Sequence, residues 1–344
     1  MTKDPFQRRD KVDVAREGIR VRKASVVVVT YNGLEESTVP CLESVLGLTR
    51  GAEFEVVVVD NHSSDGTPGY LRELAARDSR VRCLLNTENR GFAGGNNDGL
   101  RVATGDFIVL LNSDTIVTEG WLVGLLDPLE TGLSVGLAGP VSNAVGNEQK
   151  ISCAGLSPEE IIKEGRLWTA MSEGDRFDTD RLGFFCVATR RDVVDRVGPL
   201  DEGFGTGFFE DDDYCIRVRE AGYRLVCVED VFVYHQGSGS FGKARRETRE
   251  LMKRNRKRLE GKFAMRYRPR HPRDRQLDLA ESYLARMEEG GGRERLLYKT
   301  ENRLCAAEAI APHGWLKRYL FRRAVRGIRE RIGQASPGRR EATA

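Results

Sequence analysis

The sequence has little histidine, four residues in 344, and its seven cysteines include no CxxC pair. Without such pairs, and with an odd count, neither a disulfide framework nor a structural zinc site is expected, and a reducing cytoplasm suits the chain better. Long apolar runs are missing too. The longest, at 26–29 and 107–111, fall far short of a membrane span. The opening residues MTKDPFQRRD are charged and hold no apolar segment, so no signal peptide is expected. Net charge is nearly absent: 55 Lys+Arg stand against 52 Asp+Glu, a formal +3, which argues against a dedicated nucleic-acid binder. What remains, 40% hydrophobic and 31% charged residues, is ordinary for a globular protein, and the length allows one large domain or two.

The small net charge hides an asymmetry. Residues 1–24 carry 8 basic and 4 acidic residues, residues 25–242 carry 18 and 35, and residues 243–344 carry 29 and 13. An acidic body of −17 is therefore followed by a basic tail of +16, with the boundary near Lys243.

The body alternates strands with helices. SVVVVT (25–30), EVVVVD (55–60), 81–86 and DFIVLL (106–111) read as buried strands. Helices are expected at 36–46, 66–77 and 94–102 between them. Strands that are apolar throughout, separated by helices, imply a doubly wound parallel sheet with ligands beyond its carboxyl edge. Polar, turn-forming clusters do follow each strand: Thr30-Tyr31-Asn32-Gly33, Asp60-Asn61-His62-Ser63-Ser64-Asp65, a run from Asn86 through Asn89 and Gly91 to Asn96, and Asn112-Ser113-Asp114. One such cluster can be a mere turn or helix cap, but four at successive strand ends point to a binding edge.

Each motif admits two readings at this level. The glycines of 91–99 do not fit GxGxxG. They serve either an approach to phosphate or sugar, with Asn96 facing the ligand, or a tight helix–sheet contact. Asp114 can bind a divalent cation but needs a second ligand. His235, at the end of the strand 231–234, is the candidate, or else a structural histidine. Glu210-Asp211-Asp212-Asp213 opens an amphipathic helix. Either the acids answer the helix dipole, or crowding raises one of them into the range of a general base.

Taken in order, Thr30-Tyr31-Asn32, Asp60, Asn89-Arg90-Gly91-Phe92 with Asn96, Asn112-Ser113-Asp114, and Phe208-Phe209-Glu210-Asp211-Asp212-Asp213 resemble the family 2 glycosyltransferases of the GT-A fold. The resemblance leans towards the bacterial rhamnosyltransferase-like and galactofuranosyltransferase-like branch and covers residues 25 to about 263. It implies an α/β, Rossmann-like, mostly parallel sheet with a basic helical extension. It implies a nucleotide-sugar donor held by Thr30, Tyr31, Asn32, Asp60, Asn89, Gly91, Asn96, Asn112 and Ser113. Asp60 would bind the pyrimidine base. Asp114 and His235 would hold Mn²⁺ or Mg²⁺, with Asn112 standing where the family's DxD pattern has its first Asp. Asp211 would be the general base and Glu210 its neighbour. The Gln-x-x-Arg-Trp motif of processive synthases is absent, so a single inverting transfer to a glycan or lipid-linked acceptor is implied.

The boundaries that follow are an N-terminal arm 1–24, a catalytic domain 25–243, a basic helical region 244–332 and a disordered tail 333–344. In 244–263, Leu251, Met252, Leu259 and Phe263 share a helical face that packs on the body. Gly290-Gly291-Gly292 reads as a linker between helical stretches 274–289 and 293–308. The stretch 315–332 sets Trp315, Leu316, Tyr319, Leu320, Phe321 and Val325 among six arginines and a lysine. It suits an anionic membrane surface, an oligomer contact or a packed helix. A nucleotidyltransferase would want a basic glycine-rich loop after the first strand, which is missing here. A binding module without activity is harder to square with the intact Asp114, Asp211 and His235.

Overall fold

The computed structural model describes residues 23–237 and 245–335. Most of the N-terminal arm, residues 238–244 and the last nine residues of the sequence lie outside them.

The chain builds one sheet. Strands β1 (Lys23–Thr30), β2 (Glu53–Asp60), β3 (Val81–Leu85) and β4 (Phe107–Asn112) pair in parallel, in the spatial order β3-β2-β1-β4. Helices α1 (Val39–Leu48), α2 (Thr67–Arg77) and α3 (Gly91–Val102) make the crossovers. The parallel half therefore forms as expected, with ends shifted by a few residues. Two helix starts differ. A short π-helical turn at Leu34–Thr38 precedes α1, and α3 begins at Gly91, not at Gly94.

Beyond β4 the sheet becomes mixed. It continues through β5 (Thr115–Val117), β6 (Val135–Val141), β7 (Arg176–Thr179), β8 (Cys186–Arg190) and β9 (Arg224–His235). Strand β8 lies antiparallel between β4 and β6, while β6 and β9 are parallel. Strands β5 and β7 pair antiparallel with β9. Helices α4 (Trp121–Thr131), α5 (Pro158–Ala170), α6 (Arg191–Val197) and α7 (Glu210–Glu220) connect these strands.

Strand alternation divides the core. Val26, Val28, Val56 and Val58 face α1, α2 and α4, whereas Val27, Val57 and Val59 face the other layer. That second layer contains α3, α5 and α7. It also takes in residues of α9 (Pro272–Glu288), α10 (Arg293–Glu308) and α11 (Trp315–Ala335). In α3, Gly95 and Gly99 leave no room for side chains: a Cβ would lie 2.7 Å from Val29 and 2.3 Å from Val27. Here the glycines serve helix–sheet contact.

The triple glycine is no extended linker. It makes a tight turn that folds α10 back along α9. Helix α8 (Arg245–Lys262) packs inward through Asn255 and Leu259, both buried, while Met252 is exposed. The expected face is thus rotated: the inward row follows the four-residue spacing 251, 255, 259.

Candidate active site

Parallel register sets the first part of the site. Thr30 pairs with Asp60, and Val29 with Asn112, so three strand ends share one edge. Asn32 sits in left-handed backbone at φ 55°, which Asn tolerates. Its Oδ1 accepts from Ser64 N–H at 2.8 Å, and its own N–H donates to Ser63 Oγ at 2.8 Å, tying the two loops together. Asp60 is buried. Its Oδ2 accepts from Ser63 N–H at 3.1 Å, while Oδ1 has no partner. A buried, unpaired carboxylate oxygen is costly and fits a ligand N–H. Tyr31 is half exposed beside it, whereas Thr30 is wholly buried and bonds Thr38 through the two hydroxyls at 2.6 Å. Thr30 therefore braces the turn from beneath.

Asn61 organises the next loop. Its Nδ2 donates to Asn89 Oδ1 and to the Gly91 carbonyl, both at 3.0 Å. Its Oδ1 accepts from Asn86 at 3.2 Å and from Arg90 N–H at 3.1 Å. Gly91 lies at φ +67°, and a Cβ there would stand 2.4 Å from the Gly205 carbonyl oxygen. This joins the start of α3 to the loop that leads to α7. Asn96, expected to face ligand, is buried and donates back to the Phe92 carbonyl at 2.9 Å.

Antiparallel pairing of β5 with β9 sets Thr115 opposite His235 and so brings Asp114 to it. Asp114 Oδ1 lies 3.2 Å from His235 Nε2. The other ring nitrogen, Nδ1, is 2.7 Å from the Ala144 carbonyl. A carbonyl only accepts, so Nδ1 carries a proton; Nε2, when protonated, donates to Asp114 Oδ1, and once deprotonated it would be the ligating nitrogen. Asn143 fixes the His235 backbone by two bonds of 2.9 Å, and Phe185 stacks on the ring at 5.3 Å. Burial works against charge on Asp114, but the His235 hydrogen bond and charge outweigh it and hold the carboxyl below its usual value. For His235 burial pushes down and Asp114 pushes up, with a net rise. An oxygen and an imidazole nitrogen, oriented from behind, fit Mn²⁺ or Mg²⁺ with ligand oxygens completing the shell. Among the described residues no third His, Cys, Asp or Glu joins them. Asn112 and Ser113 lead into Asp114. The Asn112 N–H donates to the Phe185 carbonyl at 2.8 Å, and both side chains are half-buried.

The acidic cluster opens α7 after an unusual approach. Phe208 and Phe209 both take left-handed backbone, at φ 72° and 75°. Asn255 of α8 holds this loop. Its Nδ2 lies 2.7 Å from the Phe204 carbonyl, 2.9 Å from that of Gly207 and 3.0 Å from that of Phe208. Burial, then the charges of Asp212 and Glu210, raise the Asp211 carboxyl well above its usual range. Burial raises Glu210 to about 7, and its Oε2 has no partner. Asp212 accepts from the Tyr267 hydroxyl. Helix α7 is packed towards the metal-type pair: Leu182 N–H meets Cys215 Sγ at 3.3 Å and Phe184 meets Tyr214 edge-on at 5.8 Å, one residue before Phe185.

Sequence reasoning missed Asn61, Asn255 and Tyr267. Asn61 stood inside a quoted motif. Asn255 and Tyr267 meet the site across 47 to 55 residues of chain, and no local pattern marks them.

The profile of the family described as Glycosyl transferase family 2 matches residues 25–197, and the chain belongs to that family. A glycosyltransferase of Haloferax volcanii, AglE, is 27% identical over 61% of this chain and 66% of its own length. The Escherichia coli enzyme UDP-Glc:alpha-D-GlcNAc-diphosphoundecaprenol beta-1,3-glucosyltransferase WfgD is 34% identical over 37% of this chain and 46% of its own length. The chain thus spans less than two thirds of these relatives. Among solved structures, GalNAc-T7 with UDP, GalNAc and Mn²⁺ aligns with a TM-score of 0.51 at 18% identity, over 62% of this chain and 44% of that one, a likeness of fold.

Proposed function

We propose that the chain transfers a sugar, hexose or deoxyhexose, from a UDP- or dTDP-linked donor to an acceptor hydroxyl, with inversion and one transfer at a time. The observation that carries this is the Asp114–His235 pair, 3.2 Å apart and oriented by the Ala144 carbonyl, within a family 2 chain. A divalent cation, Mn²⁺ or Mg²⁺, would be held by these two side chains and, when bound, supplies charge that stabilises a departing diphosphate. Asp60 offers its unpaired Oδ1 to the base, and Tyr31 stands exposed beside it. Asp211 takes the proton of the acceptor hydroxyl. That oxygen forms the new bond at the anomeric carbon, from the face opposite the nucleoside diphosphate, which leaves with the bonding pair. No covalent enzyme intermediate is needed.

The acceptor is a glycan or lipid-linked hydroxyl, a class that includes the acceptor named for WfgD. Work at the cytoplasmic face of a membrane, in cell-surface polysaccharide synthesis, agrees with α11. Its Phe321, Val325 and Ile328 are buried, while Trp315, Leu316, Tyr319 and Leu320 remain exposed among cations. No described helix is long and apolar enough to cross a membrane.

The test is thermal stabilisation by UDP and dTDP with and without Mn²⁺, followed by nucleoside diphosphate release from a panel of nucleotide sugars. Metal-dependent stabilisation with slow release is expected. Stabilisation without release or transfer from any donor would leave a binding module instead.

A further inference from the structure

A cleft of about 490 Å³ opens between the end of β7, the outer side of α7 and the 265–270 connection from α8 to α9. Six arginines line it: Arg181, Arg219, Arg266, Arg268, Arg270 and Arg275. Three have carboxylate partners. Arg219 meets Asp180 at 3.2 Å, Arg275 meets Glu148 at 3.1 Å and Arg270 meets Asp278 at 2.8 Å. Of the other three, Arg181 donates to the Gly146 carbonyl at 3.4 Å and its charge acts on Asp211 and Asp212, whereas Arg266 and Arg268 form no ion pair among the described residues. Asp212 and Glu220 are also part of the wall, and Asp212 already accepts from the Tyr267 hydroxyl. None of Thr30, Asp60, Asp114 and His235 lines the cleft, so it is separate from the donor edge. It does adjoin Asp211, the neighbour of Asp212 in the first turn of α7.

Unpaired guanidinium groups around a concave surface match phosphate oxygens, which accept paired N–H bonds in a fixed plane. We infer that this cleft binds the phosphate or diphosphate group of the acceptor and so presents the acceptor hydroxyl to Asp211. The inference rests on the transferase reading above. The phosphate is borne either by a lipid or by a soluble phosphorylated glycan, and the cleft reads the group common to both.

The test uses the full chain in EDTA, which removes the metal that a donor diphosphate needs, and titrates inorganic pyrophosphate and farnesyl diphosphate by calorimetry. Both are expected to bind. The double variant Arg266→Ala/Arg268→Ala, at two exposed positions, weakens both by about tenfold or more. Asp114→Ala leaves both unchanged. Tighter binding of farnesyl diphosphate assigns a lipid-borne group, and equal binding assigns a soluble one. No binding by the wild type, binding that the double variant retains in full, or binding lost in Asp114→Ala overturns the inference. UDP binding with Mn²⁺, measured on the same double variant, is expected to be unchanged. Its loss from the wild type would instead count against the transferase reading.

Discussion

Glu210, Asp211 and Asp212 share one helical turn, and burial, joined at Glu210 and Asp211 by the charge of neighbouring carboxylates, makes all three reluctant to ionise. A base acts only when deprotonated. Turnover should therefore rise with pH through a value above the ordinary carboxylate range, and kcat/KM that stays flat from pH 8 down to pH 4 would contradict the assignment. Stability has the opposite sign. Glu210 moves from an ordinary 4.5 to about 7 in the fold, so its contribution is full below pH 4.5 and is lost as pH rises through about 7. Glu210→Gln should melt higher than wild type at pH 8, and the gap should close at pH 4. A variant less stable at both would show that the neighbour's charge is structural. At this scale the sequence was informative where strand ends converge. Asp60, Asp114 and His235 were legible because period and turn chemistry put them at one edge. Thr30 and Asn96, also expected at the ligand, are buried and bonded within the fold, since strand ends also need buried polar groups to close their own turns.

Helix α8 was legible as amphipathic, but its function was not, because the residue that matters is a polar one on the inward row. The two N–H groups of Asn255 Nδ2 are shared among three carbonyls of a loop in which two phenylalanines hold left-handed backbone. Such backbone persists only when its surroundings over-determine it. Asn255→Ala should cost about 1–3 kcal/mol in chemical denaturation, from carbonyls left without a donor. It should also lower kcat while UDP affinity holds. An unchanged kcat would mean that the loop positions itself. The parallel strands β1 to β4 were readable because each is a continuous buried run. Strands β5 to β9 were mostly hidden. They are short or interrupted, and their partners lie far away, as with Leu111 and Cys186 or Thr115 and His235.

Across the whole molecule the acidic body and basic tail turn out to be partners. Asp175 receives Arg286, Arg295 and Lys299, each at 2.8 Å, and Glu229 receives Lys299 at 2.9 Å and Arg303 at 2.7 Å. Lys299, Arg303 and Glu229 are fully buried, with Trp168 and Tyr283 around the cations. Burial alone would raise Glu229, but Lys299 and Arg303 bring it down to about 2. Its stabilisation is present above pH 4.5 and is lost as pH falls towards 2. Glu229→Gln should cost about 3–5 kcal/mol near neutral pH, because buried Arg303 loses its counter-charge and buried Lys299 keeps only Asp175. A cost within 1 kcal/mol, read from urea unfolding, would contradict this. Four cations of the tail are thus spent on the seam, while those of α8, of the 265–270 connection and of α11 include many that stay exposed. The 344-residue chain should sediment with anionic vesicles, release at high salt and bind less as Trp315→Ala/Tyr319→Ala. Equal binding to neutral vesicles would remove the membrane reading.

Donor binding and chemistry are assigned to different residues of this chain, Asp60 and Asp211. The direct measurement is acceptor glycosylation and UDP or dTDP affinity, side by side, in Asp211→Asn with Mn²⁺ and the donor found by the panel. Transfer should fall by at least about 100-fold while nucleotide affinity stays within about threefold of wild type. Transfer at the wild-type rate in Asp211→Asn would contradict the assignment of the base, and with it the mechanism.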